Sequence, residues 1–134
     1  MHNTAQMFID ELNAKDLKFT VREVPSGEVV LSIVFDSKNT NFIFSGEKGE
    51  YVSMYTLFEH VPADKITDLL LVCNSLNTQL KWFKFYIDDD NDLMIQDDAI
   101  ITPETAAAEC FELLARRVNI MKEVKPTIMR AIYT

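Results

Sequence analysis

The chain has 134 residues, 48% of them hydrophobic, which is about one domain's length with ample material for a packed core. Three glycines and four prolines are too few for a long linker or a low-complexity tract. A formal net charge of −8, with an isoelectric point near 4.7, repels phosphate backbones and anionic lipids and so argues against nucleic-acid and membrane partners.

The first predicted element is a helix from Thr4 to Ala14, with Thr4 as its N-cap and Ala5, Phe8, Ile9 and Leu12 at helical spacing. Phe19 to Val24 alternates weakly and reads as a strand, ended by the turn Pro25-Ser26-Gly27. In the next strand Val29, Leu31, Ile33 and Phe35 alternate with Val30, Ser32 and Val34. It is thus apolar on both faces, which predicts a central place in the sheet. Asp36 to Asn39 turns the chain into a strand at Phe42-Ile43-Phe44. Gly46 to Gly49 turns it again into a strand from Tyr51 to Phe58. Short strands joined by short turns predict an antiparallel meander.

Pro62 opens the second predicted helix, a position that suits proline because its missing N–H has no intrahelical acceptor there. Ile66, Leu69, Leu70, Cys73, Leu76 and Leu80 form its apolar stripe, and Leu71 and Val72 widen that stripe beyond one face. A strand follows from Trp82 to Ile87, with Phe83, Phe85 and Ile87 on one face and Trp82, Lys84 and Tyr86 on the other. Its hairpin partner is Leu93 to Gln96. Thr102 and Pro103 are placed to cap and start the last helix, with Phe111, Leu114, Val118 and Met121 inward. Pro126 is expected to kink or restart it. The element order is helix, three or four strands, helix, two strands, helix. The fold class is therefore α+β, a twisted antiparallel sheet with helices packed on it, and the whole span 1–134 reads as a single domain.

Chemistry is sparsely represented. Cys73 and Cys110 fall on apolar helix faces, the pattern of reduced core thiols in a cytosolic protein. The amino-terminal residues lack the basic and apolar regions of a signal peptide, and no apolar run approaches the ~18 residues of a membrane span, so the expected location is cytoplasmic. Of the two histidines, His2 is terminal and His60, beside Glu59, lies where a strand gives way to a helix. No Gly-rich phosphate loop, His-Glu-x-x-His or Cys-x-x-Cys occurs, so no cofactor and no metal are expected. Asp88-Asp89-Asp90-Asn91-Asp92 imitates the start of a calcium loop. With Asp88 as the first position, however, Leu93 stands where glycine is needed and Ala99 where the bidentate glutamate is needed. The stretch is better explained as a hairpin turn, with Asn91 left-handed and Asp side chains capping backbone N–H groups.

Asn74-Ser75-Leu76-Asn77, followed by Phe85-Tyr86-Ile87-Asp88, Asp90 and Asp92-Leu93, resembles the YbjN-like family of bacterial proteins, described as candidate sensory-transduction regulators. Asn91 stands where that family often has glycine, a change that preserves the turn geometry. The resemblance extends to the order of elements over nearly the whole chain. It implies a fold like that of type III secretion chaperones, often dimeric, that binds other proteins through apolar patches, and it carries no catalytic residue. The leading expectation is a non-enzymatic regulator that binds a protein partner through Leu71, Val72, Trp82 and Tyr86 and forms a homodimer through the second helix. Two alternatives stay open: a small-ligand sensor or enzyme built around His60, and a last helix that folds over the second within one chain.

Overall fold

The computed structural model describes residues 1–134. Three helices and six strands follow one another as α1 (Asn3–Ala14), β1 (Thr20–Glu23), β2 (Val29–Phe35), β3 (Lys38–Ser45), β4 (Tyr51–His60), α2 (Ile66–Gln79), β5 (Lys84–Ile87), β6 (Asp92–Ile100) and α3 (Ala106–Tyr133). The strands form one antiparallel sheet in the order β1-β2-β3-β4-β6-β5, so β2 is interior, as its double apolar pattern predicts.

Period-two alternation divides the sheet into two faces. Leu31 and Ile33, Phe42 and Phe44, Met54 and Phe58, Leu93 and Ile95 are buried beneath the helices. The alternate positions Ser32, Asn41, Tyr55, Gln96 and Lys84 stand in register across the opposite face, where Val30 is buried and Val34 is exposed. α1 docks by Phe8, whose ring meets Phe42 edge-on at 4.9 Å and Phe111 of α3 at 5.3 Å.

Several helix ends differ from their sequence signals, each for a tertiary reason. Thr4 is not the N-cap of α1; His2 holds that place, and no side chain caps it. The buried Thr4 hydroxyl donates instead to the Gly49 carbonyl at 2.7 Å, tying α1 to the β3–β4 turn. Gly49 has φ 66°, and a Cβ there would stand 2.5 Å from both Thr4 Oγ1 and His2 Cβ, so only glycine allows this approach. Pro62 precedes a 3-10 turn, Ala63–Lys65, that leads into α2. Likewise Thr102 and Pro103 belong to a turn ahead of α3, in which the Thr102 carbonyl accepts from the N–H groups of Thr105 and Ala106. Pro126 does not interrupt α3. It lies on the exposed face, where water can satisfy the carbonyl left without a donor, while Val124, Ile128 and Ile132 hold both flanking turns on the core.

The β2–β3 hairpin closes through two residues, Asp36 and Ser37, both with positive φ (50° and 66°), the type I′ combination. Serine is strained there and glycine is not. Ser37→Gly should therefore raise stability by about 0.5–1 kcal/mol in urea unfolding.

Candidate protein-binding surfaces

α2 docks on the core through Leu69, Cys73 and Leu76. At about 100° per residue, the positions immediately after Leu69 turn outward, leaving Leu70 52% and Leu71 67% exposed. Leu70 thus leaves the inward stripe to which its spacing assigns it, and Val72 is half-buried against the core instead of projecting. α3 touches α2 but leaves this leucine pair exposed, against the alternative in which the last helix covers it.

The residues that carry the family resemblance have a definite structural task. Asn77, near the end of α2, mimics a strand: its Nδ2 donates to the Phe85 carbonyl at 2.9 Å, and its Oδ1 accepts from the Phe85 N–H at 2.8 Å. The outer edge of β5 is thereby closed by a side chain at Phe85, which blunts an edge otherwise open to strand pairing.

Trp82 lies outside β5, in the bend before it, with φ 77° and 72% exposure. One face of its ring carries the Arg116 guanidinium at 5.5 Å. Arg116 in turn bonds Asp97 Oδ2 at 2.9 Å, while Asp97 Oδ1 accepts the Asp98 N–H at 2.9 Å. Asp97 is only 3% exposed, and its burial raises its pKa, with the Arg116 charge opposing that shift. Tyr86, in β5, is half-buried under the Lys84 ammonium, 5.1 Å from its ring centre. Burial first, then the nearby Tyr55, Asp88 and Asp98, raises its pKa.

α3 also sends Arg117 into the core, where no side-chain surface reaches solvent. Its Nη2 donates to the Phe35 carbonyl at 2.6 Å and to Thr40 Oγ1 at 3.3 Å, and Thr40 pairs with Thr56 at 3.0 Å. Burial lowers the Arg117 pKa, and Asp36 opposes this. The sequence patterns singled out neither Asp97 nor Arg117. The signal was present nonetheless: Asp97 continues the inward parity of Leu93 and Ile95, and Arg117 continues the helical spacing of Cys110 and Leu113.

His60 is largely exposed and meets Asp92 Oδ1 at 2.8 Å, a cross-strand pair between β4 and β6. It lines none of the five principal clefts. Burial pushes the Cys73 thiol up to about 11 and raises Cys110 as well, so neither sulfur is a ready thiolate nucleophile. In the acidic hairpin Asn91 is left-handed, at φ 62°, and Asp88 Oδ1 accepts the N–H groups of Asp90 and Asp92 at 3.0 and 2.9 Å. Asp88, Asp90 and Asp92 can each bring one carboxylate oxygen within 4.8 Å of the others. Asparagine keeps the accepting oxygen at Asp88, so replacing Asp88 and Asp90 together by Asn should change unfolding stability by less than about 1 kcal/mol. Micromolar calcium binding by calorimetry, lost in that double variant, would contradict a purely structural hairpin.

A family model described as "YbjN: Putative bacterial sensory transduction regulator" matches residues 4–123. The chain belongs to the YbjN family. Among solved structures, a chain of the ExsC–ExsE complex is similar with a TM-score of 0.64 at 16% identity, covering 94% of this chain and 96% of that one. A chain from the crystal structure of the Yersinia pestis type III secretion chaperone SycH, in complex with a stable fragment of YscM2, is similar at 0.50 and 9% identity. It covers 87% of this chain and 98% of that one. At such identities the likeness is one of fold, and this YbjN-family chain has the fold of type III secretion chaperones. No curated protein matches it in sequence. No helix is long and apolar enough to cross a membrane.

Proposed function

We propose that this chain acts as a single YbjN domain that regulates by binding another protein, without catalysing a reaction, in the bacterial cytoplasm and as a two-fold dimer. The observation that carries the reading is the exposed Leu70–Leu71 pair on a helix already anchored by Leu69, Cys73 and Leu76. An apolar pair left wet on an acidic surface suits a partner surface. The two similar folds support the same reading, since each of those proteins was crystallised with a second protein.

In this reading a second copy covers Leu71 with the flank of Val72, and the partner protein engages the side bearing Trp82 and Tyr86. Light scattering across a concentration series is expected to give the mass of two chains; a single-chain mass at tens of micromolar would refute the dimer. Affinity capture from the native cell should retain a protein partner, and Trp82→Ala together with Tyr86→Ala should release it. Equal recovery by the double variant would remove those residues from the partner surface.

A further inference from the structure

We infer that the cleft between the end of β6 and α3 docks a basic, apolar segment of the partner protein, an inference that rests on the protein-binding reading above and specifies the partner's chemistry. The cleft exists because β5 is short. Lys84 pairs with Gln96 at the start of β5, and β6 then runs on through Asp97 to Ile100 with β4 alone beside it. Trp82 and α3 wall the space left over, which has a volume of about 700 Å³.

Two properties of this cleft select the occupant. The first is its apolar floor: Ile100 is 78% exposed, and Tyr51 and Trp82, also strongly exposed, line the same space. The second is charge. Arg116, the cleft's one base, is committed to Asp97 beneath it. The remaining carboxylates, Asp98 and Glu109, form no salt bridge; Asp98 accepts only from the Gln96 amide.

A purely apolar occupant would strip water from those two carboxylates without replacing it, which is unfavourable. An acidic segment would be repelled by the same two carboxylates. A lysine or arginine flanked by apolar side chains satisfies both features. Its charge meets Asp98 and Glu109, its neighbours cover Ile100 and Tyr51, and the exposed ring of Trp82 adds apolar contact.

Trp82 is the only tryptophan in the chain, so its fluorescence reports on this cleft directly. The probes are a panel of short synthetic peptides in which arginine or lysine alternates with leucine, valine or phenylalanine, and a matched panel with glutamate for every base. Members of the basic panel should give saturable shifts of the Trp82 emission that weaken with added salt, and the acidic panel should give none. The double variant Asp98→Asn and Glu109→Gln should bind the basic peptides about fivefold to tenfold less tightly. Glu123→Gln, at an exposed carboxylate of α3 outside the cleft, should bind them as the parent chain does. Equal shifts from both panels, or undiminished binding by the double variant, would overturn the basic occupant while leaving protein binding by this side intact. No shift from any peptide would overturn the cleft as a docking site, and the dimer and capture measurements would still judge the broader reading separately.

Discussion

Arg117→Ala is expected to lower the unfolding free energy by about 3–5 kcal/mol, a large part of the total for a domain of this size. Arg117 is fully buried, so truncation removes a long side chain from a close-packed core and leaves a cavity. It also strips the Phe35 carbonyl and the Thr40 hydroxyl of a donor, beside a hairpin that already holds two residues at positive φ. Part of this loss is offset, because a cation with no carboxylate in contact no longer has to be kept out of water. Arg117→Met tests the partition. It refills most of the volume and removes the charge but leaves the same two acceptors without that donor, so its cost should be about 1–2 kcal/mol, well below that of alanine. Urea unfolding of both variants decides the matter: equal losses would mean that packing is not the main contribution of Arg117, and a small loss in the alanine variant would mean that it does not anchor the hairpin.

Leu71→Glu is expected to convert the proposed dimer to single chains at concentrations where the parent remains paired, with little change in helical signal. Burying one leucine stabilises by about 1.5–3 kcal/mol, and in a two-fold interface the residue is present twice. A glutamate there would also have to be desolvated opposite its own symmetry mate. The core stripe of Leu69, Cys73 and Leu76 is untouched, which is why the fold should survive. Light scattering and circular dichroism on the same samples separate the outcomes. A dimer that persists would move the interface away from this helix face, and a loss of helical signal would show that Leu71 supports the fold itself.

The contrast between these two variants reflects what local pattern can encode. Leu71 stood out in the sequence because it falls off the inward helical stripe, and its exposure follows from the helix period alone. Arg117 did not stand out, because a charged side chain in a helical pattern reads as solvent-facing until something is known to be waiting for it. What waits is the Phe35 carbonyl, far away in sequence. Trp82 lies between these cases: its exposure suits a surface role, but the positive φ that takes it out of β5 depends on how the chain leaves α2.

Taken alone, the sequence determined the order of elements, the antiparallel sheet with helices packed on it, the interior place of β2 and the left-handed Asn91 turn. All of these follow from hydrophobic periodicity and turn chemistry over a few neighbouring residues. It did not determine where the helices begin, because the Thr4 hydroxyl and the turns after Pro62 and Pro103 answer to partners or packing beyond the local pattern. Nor did it determine that Pro126 can stay inside α3, that Asn77 closes the edge of β5, or that β6 outruns β5 to open a cleft floored by Ile100. Those features depend on strand register and on contacts between residues distant in the chain, which only the folded arrangement brings within hydrogen-bonding or van der Waals reach.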